Sequence, residues 1–80
     1  MNYFEYEYKV LEKLNELLKI ESINITDDVI RLNFANDFHC EFNRKILEEA
    51  YGQGYPEDFI SHQIKVDICS EYVATFLERK

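Results

Sequence analysis

Apolar residues recur at three- and four-residue intervals in the first quarter of the chain, a spacing typical of an amphipathic helix. The first turn is open to a second interpretation, because Phe4, Tyr6 and Tyr8 alternate with acidic residues as an edge strand would. We predict a helix from Glu5 to Lys19. Its apolar stripe consists of Val10, Leu11, Leu14, Leu17 and Leu18.

The middle of the chain changes to an alternation of apolar and polar residues, which predicts β-strands. Ile23 and Ile25 give a first short strand, and the turn-forming residues 26–28 follow it. The second strand runs from Ile30 to Phe34 and the third from Phe38 to Phe42. We therefore predict a three-stranded antiparallel meander.

The loop between the second and third strands is determined by the face of the sheet that must be buried. A two-residue loop of Asn36 and Asp37 would place Phe34 opposite His39, so the apolar faces of the two strands would disagree. A three-residue loop, residues 35–37, makes the faces agree. The resulting pairs are Phe34 with Phe38, Leu32 with Cys40, Ile30 with Phe42 and, on the solvent face, Arg31 with Glu41.

Two further helices are predicted after the sheet. Asn43 is suited to cap a short helix that ends at Gly52, and Pro56 is suited to the first turn of the next helix. Residues 63–68 also alternate, so a fourth strand is a competing interpretation there. The residues that we expect to face inward are Ile46, Leu47, Ala50 and Tyr51 in the first of these helices and Ile60, Ile64, Ile68, Tyr72 and Phe76 in the second.

The order of helix, three strands, helix and helix predicts an α+β fold, and 80 residues make one domain spanning positions 1–80. The net charge is −7, of which −6 belongs to residues 20–64. Such a field repels nucleic acid and anionic membrane and attracts basic surfaces. We expect no direct nucleic-acid binding and no membrane association. With no secretion signal and two cysteines, Cys40 and Cys69, we expect free thiols in a reducing cytoplasm.

No chemical motif stands out from this pattern. A hydrolase needs a nucleophile, a base and an orienting group, and neither His39 nor His62 has such a setting. His39 and Cys40 point to opposite faces of one strand, which argues against a metal site. The paired acids lack the oxygen-ligand spacing of a calcium loop. We expect a protein without catalysis, cofactor or metal.

The acidic centre and its tyrosines therefore carry the functional hypothesis. Exposed tyrosine beside carboxylates is good material for a protein interface. We expect an inhibitor that blocks a basic nucleic-acid-handling surface of a target protein, by analogy with the class of small phage-type anti-CRISPR, anti-restriction and antitoxin-like proteins. The alternative is a self-associating structural or regulatory subunit, for example a homodimer. The predicted partner-binding residues are Asp27, Asp28, Asp37, Glu41, Glu48, Glu49, Tyr51, Tyr55, Glu57 and Asp58.

Overall fold

A computed structural model of the chain describes residues 2–67, and in this range it has the predicted order of elements. A small α+β domain results, with the helices on one face of a three-stranded antiparallel sheet. The elements are α1 (Tyr3–Leu17), β1 (Ser22–Ile25), β2 (Val29–Asn33), a 3₁₀ turn (Ala35–Asp37), β3 (His39–Asn43), α2 (Lys45–Gly52) and α3 (Glu57–Asp67).

Helix α1 begins two residues earlier than predicted because Asn2 caps it. The Asn2 side chain accepts a hydrogen bond from the backbone N–H of Glu5 at 2.9 Å, and its amide reaches back to the Glu5 carboxylate at 3.3 Å. This cap also decides between helix and edge strand for the first turn. The helix ends at Leu17, while the following Leu18 is fully buried and still directs its N–H to Leu14.

The sheet has the register that the odd loop predicts. Ile30 lies opposite Phe42, Leu32 opposite Cys40 and Arg31 opposite Glu41. The connecting loop is residues 35–37, in which Asn36 and Asp37 take the left-handed conformation at φ 60° and 64°. Asparagine and aspartate tolerate this conformation better than other residues with a side chain, so the loop closes without glycine.

The face that was predicted to be apolar is buried with one exception. Ile30, Leu32, Phe34, Cys40 and Phe42 are all less than a tenth exposed. Phe38 is 37% exposed, because it follows the turn directly and precedes His39, the first residue of β3. The pairing of Phe34 with Phe38 is nevertheless present, since the Phe34 N–H donates to the Phe38 carbonyl at 2.7 Å.

The two later helices begin and end close to the predicted residues. The Asn43 side chain accepts a hydrogen bond from the backbone N–H of Lys45 at 2.8 Å, and α2 ends at Gly52. Gly54 then takes a positive φ of 76° in the link to α3. Residues 63–67 are helical, which excludes the strand interpretation for them. The predicted inward residues Ile68, Tyr72 and Phe76, together with Cys69, lie outside the described residues.

The core forms between the buried face of the sheet and the three helices. Its side chains with almost no exposure are Val10, Leu14, Leu18, Ile30, Leu32, Leu47 and Ile64. Ile46 is half-buried and Tyr51 is exposed, so the inward face of α2 is narrower than predicted. Every element except the short 3₁₀ turn and β1 contributes a buried residue, which makes the core continuous from sheet to helices.

Candidate protein-binding surface

The ten predicted partner-binding residues do not form one surface. The turn that carries Asp27 and Asp28 and the loop that carries Asp37 join opposite ends of β2, so they lie at opposite ends of the sheet. Glu41 lies on the solvent face of β3, where its carboxylate is 3.7 Å from Arg31. Asp37 and Glu41 are therefore separated from the other acids.

Five of the remaining acids lie, in chain order, on the first turn of the sheet, on α2 and at the start of α3. The backbone N–H of Arg44 donates to the Asp28 carbonyl at 2.9 Å, which holds the turn against the N-terminus of α2. The Glu48 N–H in turn donates to the Arg44 carbonyl at 3.1 Å. We call this set the acidic band; it consists of Asp27, Asp28, Glu48, Glu49 and Glu57.

The carboxylates of the band form no ion pair within residues 2–67, although the charge of Glu57 contributes to raising the pKa of Lys13. The structure places no lysine, arginine or histidine within ion-pair distance of their carboxylates in that range. Asp58 differs, because its carboxylate is 2.6 Å from the Lys13 ammonium of α1. The hydrogen bond to Asp58 and its negative charge raise the pKa of Lys13. Asp58 thus has a cationic partner, although 82% of its side chain is exposed.

Two tyrosines border the band, and both are held in place on one side. The Tyr51 ring packs against Tyr3 and Tyr6 of α1, with ring centroids 5.9 and 5.4 Å apart. The Tyr6 hydroxyl donates to the Tyr55 carbonyl at 2.8 Å, and the Tyr55 ring contacts Phe59 at 5.3 Å. Tyr51 is 37% exposed and Tyr55 43%. Each ring therefore presents a positioned apolar surface at low cost in conformational entropy.

Glu57 of the band lies close enough to Tyr6 to affect the pKa of its hydroxyl. Burial raises the pKa of Tyr6, and the negative charge of Glu57 raises it further. Glu57 is half-buried at the first turn of α3, next to the carbonyl that Tyr6 binds. Carboxylate and aromatic surface therefore adjoin at the link between α2 and α3.

A buried ion pair beneath the band was not predicted from the sequence. Arg44 donates from Nε and Nη2 to the two oxygens of Glu7, at 3.0 and 2.9 Å. Its Nη1 donates to the Thr26 carbonyl at 2.9 Å, and the Tyr3 hydroxyl donates to Glu7 Oε2 at 2.6 Å. The side chains of Glu7 and Arg44 are 7% and 14% exposed. This cluster joins α1, the first turn of the sheet and the start of α2.

Burial and the Glu7 carboxylate together determine the pKa values of Tyr3 and Arg44. Burial, followed by the hydrogen bond and negative charge of Glu7, raises the pKa of Tyr3 to about 12. Burial opposes the charge of Arg44, but the hydrogen bonds and charge of Glu7 outweigh it, so the pKa of Arg44 lies above its ordinary value. Because the Arg44 guanidinium is bound to Glu7, it forms no ion pair with the acids of the band in the described range.

A helical periodicity that includes polar residues would have revealed this cluster. Tyr3, Glu7, Val10 and Leu14 recur at spacings of four, three and four, so Glu7 lies on the buried stripe of α1. A carboxylate on such a stripe requires a cationic or hydrogen-bonding partner. The sequence does not show which of the basic residues provides it, because that depends on the tertiary fold.

The described residues offer little for catalysis or metal binding. His39 and His62 are exposed, and residues 2–67 contain no group of three or more His, Cys, Asp or Glu side chains arranged to hold a metal ion. The Cys40 side chain is buried. Across the same range, every helix is too short or too polar to span a membrane.

No protein-family model, curated protein or solved structure matches this chain. The geometry of its surface is therefore the basis for a functional proposal.

Proposed function

We propose that this chain is a non-catalytic binding module whose acidic band docks on a basic surface of a protein partner. The observation that carries the proposal is the contrast between the acids. Glu41 and Asp58 form ion pairs with Arg31 and Lys13, whereas the acids of the band form none in the described range. Unpaired exposed carboxylates supply the complementary potential that a basic surface attracts.

The aromatic border supports a specific contact rather than a diffuse electrostatic one. Charge complementarity mainly accelerates association, while a buried aromatic ring at the centre of an interface slows dissociation. Tyr51 and Tyr55 lie beside the carboxylates with part of each ring exposed. We assign them the role of anchors.

The chemistry of the partner follows from the charge of the band. Proteins that handle nucleic acid present clustered lysine and arginine to phosphates. A module that covers such a cluster would exclude the nucleic acid, which makes an inhibitor the function that we favour. Its place of action in this proposal is the cytoplasm, where the partner and a reduced Cys40 would both occur.

Charge reversal within the band tests this proposal. Glu48→Lys/Glu49→Lys should leave the fold intact, because exposed charges contribute little to stability. A matched control, Glu16→Lys/Asp67→Lys, changes the net charge equally on exposed positions of α1 and α3. The wild type and both variants serve as bait in parallel captures at low and high salt, with identification of the retained protein by mass spectrometry.

We expect the wild type and the control to retain the same basic protein at low salt, and the band variant to lose it. With the purified partner, association of the band variant should be at least roughly tenfold slower, and the wild type should displace bound nucleic acid. Equal retention of the partner by the band variant and the wild type would contradict the proposal. A chain that binds no protein but forms a stable dimer would favour the self-associating alternative.

A further inference from the structure

A second surface, between α1 and the first strand, has the features of a strand-binding site. An open groove of about 480 Å³ runs between α1 and β1. Leu11 of α1 and Ile20, Ile23 and Ile25 of the sheet side provide its apolar lining, and the Tyr8 ring stands at its rim. We call it the α1–β1 groove. Tyr8 is 66% exposed and Ile25 48%, so the groove is accessible.

The strand beside this groove, β1, is at an edge of the described sheet. The strand order is β1-β2-β3, so among the described residues β1 pairs with β2 alone. The Thr26 N–H donates to the Val29 carbonyl at 2.9 Å, which identifies that pair as hydrogen-bonded. Hydrogen-bonded and non-hydrogen-bonded pairs alternate in an antiparallel ladder, so the main-chain groups of Ile23 and Ile25 point away from β2. An added strand would bind there.

The charge around the groove selects the occupant. Its described lining includes the carboxylates of Glu12 and Glu21 and no basic side chain. Glu12 and Glu21 line the same groove as Leu11 and Ile23, so both carboxylates face the side of an added strand that lies over the groove. Every second residue of such a strand points into the groove, and we expect these groove-facing positions to combine apolar residues over Leu11 and Ile23 with basic residues near the two acids. A second copy of the chain, at net charge −7, would instead bring like charges together along the same edge.

We infer that the α1–β1 groove binds an extended basic segment of the partner protein by addition of a strand to β1. The inference rests on the proposed function for the identity of the partner, but the groove and the acidic band are different surfaces. Main-chain hydrogen bonds to the edge would supply affinity, and the pockets for alternate side chains would supply specificity. The acidic band would then accelerate the encounter while the groove retains the segment.

A defined peptide tests the inference without the natural partner. The probe is a fluorescent peptide in which every second residue faces the groove; these positions alternate between valine and lysine, and threonine separates them. One control peptide has glutamate in place of lysine, and a second has the first sequence with alternate amides N-methylated. Binding is measured by fluorescence anisotropy, and amide hydrogen exchange of the protein locates the site. We expect saturable binding of the first peptide, with new protection of the Ile23 and Ile25 amides, and no binding of either control.

Two variants address the edge and the charge separately. Ile25→Pro removes an outward-pointing N–H without removing a bond to β2, and Ile25→Ala retains that N–H as its matched control. Glu12→Gln/Glu21→Gln removes the rim charges, while Glu48→Lys/Glu49→Lys leaves the groove unaltered. We expect at least roughly tenfold weaker peptide binding for Ile25→Pro than for Ile25→Ala, and a similar loss for the rim variant.

Three outcomes would overturn the inference. The first is absence of binding at millimolar peptide, and the second is protection in the acidic band in place of Ile23 and Ile25. The third is a wild-type dimer in sedimentation that Ile25→Pro dissociates, because a second copy would then occupy the edge. If the groove binds the peptide but the variant Glu48→Lys/Glu49→Lys still captures the natural partner, the groove stands and the proposed function of the acidic band fails.

Discussion

Two arginine–glutamate pairs occupy very different regions of this small domain. Arg44 and Glu7 are almost buried and make two hydrogen bonds of 2.9 and 3.0 Å. Arg31 and Glu41 lie on the solvent face of the sheet, 3.7 Å apart, with 43% and 48% of their side chains exposed. The same residue types therefore serve two purposes, and exposure to water decides which one.

The surroundings of each pair explain the difference. Arg31 also donates to the Asn33 side chain at 3.0 Å, and the Asn33 amide donates to Ser22 and Asn24. Water can replace any of these contacts on the outer face. Water cannot replace Arg44 in the same way, because the pair is almost buried and removal of one partner leaves the other without compensation. The inner pair is thus a structural requirement, and the outer pair is a peripheral contact.

The largest effect is expected from removal of the inner arginine. Arg44→Met should lower the free energy of unfolding by about 3–5 kcal/mol, because Glu7 would remain buried without its cationic partner. For a domain of this size such a loss is a large part of the total stability. Urea denaturation followed by circular dichroism measures it.

The double variant Glu7→Leu/Arg44→Met is the control for this prediction. Apolar side chains of similar volume often replace a buried ion pair without loss, so the double variant should recover most of the stability. A double variant as unstable as Arg44→Met would show that the hydrogen bond from Arg44 to the Thr26 carbonyl, and not the ion pair, is the important contact.

A smaller effect is expected at the hydroxyl that completes the cluster. Tyr3→Phe removes the 2.6 Å hydrogen bond to Glu7 and should cost about 1.5 kcal/mol at neutral pH. The pKa of Tyr3 is raised from 10.0 to about 12 in the folded chain. Its contribution is therefore fully present below pH 10 and is lost as the pH rises from 10 to 12, because the unfolded chain releases the proton first.

The stability difference between wild type and Tyr3→Phe, measured by denaturation across this pH range, isolates that proton. All other titratable groups are common to the two proteins, so their contributions cancel in the difference. A gap that stays constant from neutral pH to pH 12 would show that the Tyr3 hydroxyl contributes no proton linkage.

The smallest effect is expected on the outer face. Arg31→Ala should change the free energy of unfolding by well under about 1 kcal/mol, as exposed ion pairs generally do. Thermal denaturation at low and high salt measures the change, and Glu41→Ala is the matched variant. A loss at Arg31 as large as that at Arg44 would remove the distinction between the two regions.

The parity of the hairpin shows what the sequence could determine. A slip of one residue in β3 would have exposed Cys40 and Phe42, so the buried face alone selected the three-residue loop. The start of α1 was also readable in principle, since Asn2 and Glu5 have the spacing of a capping box. Both are short-range features, for which neighbouring residues carry the information.

The inner ion pair and the division of the acids could not be predicted in the same way. Glu7 and Arg44 are 37 positions apart, and their contact depends on how α1 crosses the sheet. Likewise, Asp58 gained a partner in Lys13, which lies on a different helix. A sum of charges along the sequence counts Arg44 against the acids next to it in the chain. In the fold, its side chain points inward and pairs with Glu7.

The Glu7–Arg44 contact also bears on the order of events in folding. Each hairpin pairs residues close in sequence and can form early, whereas this contact closes a loop of 37 residues and needs α1, the first turn of the sheet and α2 in place. Contacts that are absent from the transition state act on the rate of unfolding. If the pair forms after the transition state, it slows unfolding more than it accelerates folding. The lifetime of the native state would then depend strongly on Arg44.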